Sequence, residues 1–113
     1  MSAADEVVQS VDKNMTSPEP GLKRQVMSFS PGIMLVRHKM EPGWVGAAHS
    51  HPQEQLVYVV SGAIELTIAG ITHSLSAGDS TLVAGGAQHQ ARTDRASEVL
   101  DVFTPYRADY AAS

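Results

Sequence analysis

The stretch Gly43-Trp44-Val45-Gly46-Ala47-Ala48-His49-Ser50-His51-Pro52-Gln53-Glu54-Gln55-Leu56-Val57-Tyr58-Val59-Val60-Ser61-Gly62 decides how the chain is read. His49 and His51 are two residues apart, so extended backbone sends both imidazoles to the same side. Gln55 follows at the head of an apolar run, and Gly62 closes that run. After fifteen intervening residues, Gly78 opens a second segment that carries Ala84, Gly86 and His89. One β face can therefore aim three imidazoles and one amide at a single point, with open positions left for substrate or water. An isolated His-x-His pair beside Pro52 is also compatible with plain loop residues, and Gln55 and His89 alone do not remove that reading.

Outward from this stretch, short β-type runs alternate with turn residues. They cover 22–29, 32–40, 55–60, 63–69, 71–76, 79–84, 88–93 and 97–104. Pro31-Gly32, Pro42-Gly43, Ser61-Gly62, Ala69-Gly70, Ala77-Gly78-Asp79 and Gly85-Gly86 separate them. No helical period emerges, so the expectation is an all-β sandwich or small barrel of antiparallel strands. Ile64, Leu66 and Ile68 share one strand face. The run from Gln55 to Val60 is apolar on both faces. With Gln55, Val57 and Val59 inside, Leu56, Tyr58 and Val60 form an outer stripe that needs covering by the N-terminal arm or a second subunit. A homodimer is the expectation. Residues 1–20 are polar and form the arm, with Val7 and Val8 as candidates to pair with a sheet edge; residues 21–113 form one barrel domain.

Bulk composition narrows the function classes. The chain has 113 residues, a formal net charge of −4 and no cysteine. It therefore has no basic footprint for nucleic acid or an anionic membrane, and no disulfide or thiolate metal site. The longest wholly apolar run, Leu56 to Val60, is far short of a membrane span. The N-terminus has neither the basic region nor the apolar core of a signal peptide, which makes the cytoplasm the expected compartment.

The glycine framework around the histidines makes the site specific. Gly43, His49, His51, Gln55 and Gly62 in their spacing resemble the first cupin motif, with Gln55 in place of the usual Glu. Gly78, Gly86 and His89 resemble the second, which departs at Ala84 (usually Pro) and Thr93 (usually Asn). The resemblance covers about residues 22–107 and implies a cupin double-stranded β-helix, a jelly-roll barrel with its metal inside. It implies one divalent transition metal ion (Ni, Zn, Fe, Mn or Cu) held by His49, His51, Gln55 and His89. Four neutral ligands would leave the ion its full charge and make it a stronger Lewis acid towards an anionic oxygen.

In the run Glu98 to Phe103, the face shared by Val99 and Phe103 carries a single carboxylate, Asp101. If that face lines the barrel, Asp101 is a candidate proton donor and acceptor; a pairing with a nearby Arg or a turn cap is the plain alternative. Arg107, beyond Thr104-Pro105, could clamp a carboxylate at the barrel mouth with two hydrogen bonds; a solvated arginine is the plain alternative. Leu100 to Tyr110, His49 to Gln55 and Met34 to Arg37 are similar to the small KdgF-type cupins. That resemblance implies conversion of 4,5-unsaturated monouronates from pectin or alginate to linear keto sugars, with Asp101, Phe103 and Arg107 as the catalytic and substrate-binding group. A cupin oxygenase and a non-catalytic sugar-binding cupin are the alternatives, since the fold hosts many activities.

Among the remaining residues, His38 is expected inside the barrel as a hydrogen-bonded histidine, with a pocket role as the alternative. His73 is expected to be exposed, Glu54 to face outward, with a hairpin twist that makes Glu54 the ligand as the alternative, and Arg24 and Arg37 to lie on solvated faces, with lining the pocket as the alternative. Trp44 is expected either to rim the cavity or to pack on the arm.

Overall fold

Alternating burial along each strand and glycine-bearing turns between strands set the architecture. The computed structural model describes residues 7–112. Within them lie β1 (Thr16–Glu19), β2 (Leu22–Ser30), β3 (Ile33–Met40), β4 (Glu54–Ser61), β5 (Ala63–Ile68), β6 (Ile71–Ser76), β7 (Ser80–Val83), β8 (His89–Arg92), β9 (Ser97–Thr104) and the one-turn helix α1 (Ala108–Ala111). The eight expected strands from residue 22 onward all form, each within one residue of its expected ends. A six-stranded sheet in the order β1-β2-β3-β9-β4-β7 packs on a three-stranded sheet in the order β6-β5-β8. Every paired strand is antiparallel, which makes the fold the expected double-sheet jelly roll.

Strand parity behaves as the sequence pattern requires. On β4, Gln55, Val57 and Val59 are buried, while Leu56, Tyr58 and Val60 are each more than 40% exposed. On β9, Val99, Asp101 and Phe103 point inward, opposite Val59, Val57 and Gln55 of β4. The main core joins Leu22, Met40, Val57, Val59 and Val99 of the large sheet to Ile64, Leu66 and Leu75 of the small one. A second cluster of Met34, Val36 and Phe103 closes one end, with Phe29, Tyr106 and Tyr110 packed on it. The candidate site lies between these clusters.

The N-terminal arm departs from expectation. Val7 and Val8 join no strand; Thr16–Glu19 takes the sheet edge instead and pairs with β2. The turn at Pro20-Gly21 makes that hairpin a local closure, and Pro18 is tolerated because β1 is an edge strand. Nor does the arm cover the apolar stripe. It crosses the outer face of the large sheet at Arg37, whose solvated placement was expected and is not found. Arg37 is only 6% exposed. Its three guanidinium nitrogens donate to Asp12, Glu98 and Gln25, and Gln25 in turn donates to the Gln9 carbonyl. A guanidinium with each nitrogen paired can be buried, and losing one partner would leave an uncompensated charge.

The four framework glycines, Gly43, Gly62, Gly78 and Gly86, all have positive φ. Gly62 is the most constrained of them. It joins β4 to β5 with φ 77°, and a Cβ there would collide with Ser97 Oγ and the Ala96 carbonyl. Gly62→Ala should therefore destabilise the fold by about 2–4 kcal/mol, through left-handed strain and backbone overlap together. Urea unfolding checks this: the midpoint should fall at unchanged slope, and a wild-type midpoint would contradict the account.

Candidate metal centre and its cavity

The chain brings its three candidate histidines together by backbone pairing before any side chain acts. After β3 the segment 41–53 runs beside β8, bridged at Val45 to Arg92 and at His49 to His89. His49 and His89 exchange both backbone hydrogen bonds, at 3.0 and 2.9 Å. The Gly86 amide donates to the His51 carbonyl at 2.8 Å, tying the tight turn to the same corner. Ring centroids are 4.4 Å apart for His49 and His89, 4.9 Å for His51 and His89, and 5.7 Å for His49 and His51. One nitrogen from each ring lies within 4.8 Å of the other two.

Hydrogen bonds fix which nitrogen each ring offers. His49 Nδ1 meets the Ala47 carbonyl at 3.0 Å, His51 Nδ1 the Gln53 carbonyl at 3.1 Å, and His89 Nδ1 the Ala87 carbonyl at 3.0 Å. Carbonyl oxygens only accept, so each Nδ1 carries the proton and each Nε2 presents a lone pair. The Nε2 atom of His89 is buried without a hydrogen-bond partner. Burial also holds His51 and His89 below their ordinary pKa of 6.5, aided by the Arg107 charge at His51 and by neighbouring imidazoles at both. Both rings are then neutral at pH 7, as metal ligation requires.

Gln55 completes the set. Its Nε2 donates to Asp101 Oδ1 at 2.9 Å, which turns its Oε1 to His51 Nε2 at 3.0 Å. Two lone-pair atoms then face each other at hydrogen-bond distance with no proton between them. A shared cation resolves that contact. Donors about 2.1 Å from one ion and at right angles to each other are about 3.0 Å apart, so the spacing suits a metal. The residues present fit a divalent ion.

The cavity beside this group has a volume of about 440 Å³, within the range of small-molecule pockets. His49, Gln55, His89, Asp101, Phe103 and Arg107 line it. His51 sits behind, edge-on to Phe103. The structure thus gathers all seven sequence-predicted residues. Arg107 is already engaged: its fork donates to Asp109, and one terminal nitrogen donates to the Tyr110 hydroxyl at 2.9 Å.

Other expectations resolve as follows. Glu54 and His73 are exposed. Trp44 does both things expected of it, lining the cavity and donating from its indole nitrogen to Glu19 of the arm at 3.1 Å. His38 is interior and hydrogen-bonded, and also lines the cavity. Arg24 takes the alternative to the solvated face, lining the cavity with its guanidinium 3.9 Å from the centre of the Tyr110 ring. Its aliphatic stem and paired head make that position affordable. Tyr110 was not singled out by sequence reasoning; Arg107 and Tyr110 at i and i+3 on a short helix were the available signal.

The fold and the histidine cluster together define a cupin, and the comparisons with known proteins agree. Residues 36–103 match the family described as the cupin domain, and the chain belongs to that family. It is similar to the pectin degradation protein KdgF of Dickeya dadantii (strain 3937), with 30% identity over 92 residues, 80% of this chain and 84% of that protein. Among solved structures, KdgF from Halomonas sp. superimposes with a TM-score of 0.81 at 35% identity, covering 85% of this chain and 89% of that one. An RmlC-like cupin from Shewanella frigidimarina gives 0.82 at 32% identity, covering 85% and 86%.

A glutamate at position 55 would set a carboxylate against Asp101 Oδ1, where the amide now donates. Metal-free Gln55→Glu should therefore melt below the metal-free wild type, and added zinc should raise its melting temperature more than it raises the wild type's. Differential scanning calorimetry with and without zinc reads both. Equal melting of the two metal-free proteins would contradict this placement of the amide.

Proposed function

We propose that the chain is a metal-dependent cupin enzyme converting 4,5-unsaturated monouronates, released from pectin or alginate, into linear keto sugars. The observation that carries this reading is Asp101, a buried carboxylate in the cavity wall, joined to Gln55 and flanked by Phe103 and Arg107. A module that only binds sugar has no need of an acid–base group there. The likeness to the KdgF proteins, one of them named for pectin degradation, supports the same reading.

His49, His51, Gln55 and His89 would hold a divalent ion, which when bound supplies Lewis-acid polarisation of a substrate oxygen. The protein's own groups do the rest. Asp101 takes the proton of the C1 hydroxyl as the C1–O5 bond breaks. C1 becomes an aldehyde, and Asp101 returns the proton to O5, which becomes the enol hydroxyl of C5. The enol then gives up its hydroxyl proton while C4 gains one, leaving a ketone at C5. Every atom stays in one molecule, so the step needs neither oxidant nor reductant. Asp101 has the reach of a proton carrier for both transfers. Phe103 packs against the sugar and keeps water out. Arg107 receives the uronate carboxylate by exchanging its bond to Asp109, a surface partner more than half exposed at its side chain. The outward face of Leu56, Tyr58 and Val60 is where a homodimer would form.

Incubating the metal-loaded protein with the unsaturated monouronate should remove its conjugated absorbance faster than in buffer, at the same rate with and without dioxygen. A dioxygen requirement would indicate an oxygenase, and binding without acceleration a sugar-binding cupin; either overturns the proposal. Asp101→Asn should lower turnover at least about 100-fold, the scale of a lost general base, even at zinc concentrations at which atomic absorption shows the variant fully loaded.

A further inference from the structure

One line of hydrogen bonds runs from β2 to the histidine cluster. Arg24 Nε donates to His38 Nε2 at 3.0 Å. His38 Nδ1 lies 2.7 Å from Asp101 Oδ2. Asp101 Oδ1 accepts from Gln55 Nε2 at 2.9 Å, and Gln55 Oε1 faces His51 Nε2 at 3.0 Å. The direction of each bond follows from the first. A guanidinium only donates, so His38 Nε2 must present its lone pair. The ring proton then sits on Nδ1 and is donated to Asp101. Both oxygens of Asp101 are thereby accepting from fixed donors, and the donor at Oδ1 is the amide nitrogen of Gln55. That leaves the Gln55 oxygen, and not its nitrogen, towards the three imidazoles.

Packing holds this line in place. His38 is 8% exposed and Asp101 5%. They stand on adjacent strands, with Asp101 opposite Val36 and His38 opposite Val99, and the residues at these four positions are all buried. The Tyr110 ring lies edge-on to His38 and beneath the Arg24 guanidinium, so Arg24 cannot swing away without losing that contact. Arg24, fourteen residues from His38 in sequence, and His38, sixty-three from Asp101, are side chains that the reaction above does not use.

We propose that His38, kept in its Nδ1–H form by Arg24, is a positioning residue that holds the Asp101 carboxylate and, through it, turns the Gln55 oxygen towards the metal centre. The proposal deepens the reading of the site given above and rests on it for the role of Asp101. It makes the cavity one polar unit, in which a change at β2 reaches a metal ligand on β4 through two intervening side chains. Removing the His38 donor frees the Asp101 carboxylate to rotate and the Gln55 amide to flip, which points an N–H where a ligand oxygen is needed.

The zinc-loaded, 15N-labelled protein tests this through its two-bond 1H–15N histidine correlations. Wild-type His38 is expected to be protonated on Nδ1 alone; protonation on Nε2 overturns the proposal. Arg24→Met should convert His38 to a mixture of both neutral forms, and an unchanged His38 pattern overturns the part assigned to Arg24. His38→Phe, which keeps the bulk of the ring, should weaken zinc binding about 10-fold in calorimetric titration, as loss of a ligand-orienting group does. Its kcat on the unsaturated monouronate should fall by a similar factor with KM within about twofold. His38→Asn places an amide donor near the Nδ1 position and should recover most of both losses. Equal zinc affinity in His38→Phe and wild type, or no recovery in a folded His38→Asn, overturns the proposal. If His38→Phe does not fold by circular dichroism, the zinc affinity of Arg24→Met against wild type decides, a value equal to wild type counting against it. If no form of the protein acts on the monouronate, the reaction fails while the tautomer and the zinc titrations still decide this inference.

Discussion

The hydrogen bond from Gln55 Nε2 to Asp101 Oδ1 joins the two halves of the cavity, and each half depends on it. An amide has two ends of nearly equal size, and nothing in its shape decides which end faces a metal. Asp101 decides it here, because a carboxylate accepts and the amide nitrogen donates. The same bond explains the residue type. A carboxylate at position 55 would face another carboxylate in a buried wall, where two like charges at hydrogen-bond distance are strongly unfavourable. A glutamine among the histidines and an aspartate in the wall are therefore one choice, made on two adjacent strands. The β4–β9 register enforces it by placing Gln55 opposite Phe103 and Val57 opposite Asp101. A slip of one residue between the two strands would turn one of these polar groups to solvent and part it from the other.

Much of this was legible in the sequence because it rests on short-range rules. Strand parity assigned Gln55, Val57, Val59, Val99, Asp101 and Phe103 to the inside, and each is buried. The spacing of His49, His51 and Gln55 against the glycines located the cluster, since those glycines adopt the backbone that only they adopt readily. What stayed hidden depended on partners distant in sequence. Arg24 stands opposite His38 in the β2–β3 register, and Arg37 precedes His38 on β3 and faces the other way, yet each is paired inside the protein. Each found acceptors on other strands or on the arm: His38 for Arg24, and Asp12, Gln25 and Glu98 for Arg37. A long charged side chain carries no local mark of whether such partners exist. The sequence reading defaulted to solvent, and the pairing overruled it.

The arm shows the same competition. Pattern alone offered it two destinations, the apolar stripe of β4 or a sheet edge. Its residues 9–14 instead meet the outer face at Gln25, Arg37 and Lys39, where Asp12 accepts from both cations and is held at a pKa of about 2. The directional demand of a buried guanidinium outweighed undirected burial of Leu56, Tyr58 and Val60. Those three remain exposed on the outer face, and Leu56 lies opposite an equally exposed Leu82 on the edge strand β7.

Charge balance carries the argument to the substrate. Tyr110 lies between two guanidiniums, Arg24 and Arg107, each 3.9 Å from its ring centre. The ring faces attract both cations and keep them from meeting directly, and burial raises the Tyr110 pKa so that the phenol stays neutral between them. A chain of net charge −4 thus concentrates two positive charges at its cavity. One is tied to His38, the other to an exposed carboxylate that an incoming anion can replace. The four neutral groups of the candidate metal centre would add no negative charge to offset an ion of charge +2. Asp101 and Glu19 are the carboxylates among the residues that line the cavity. Positive charge is left over in the cavity, and the carboxylate of the substrate proposed above would offset it.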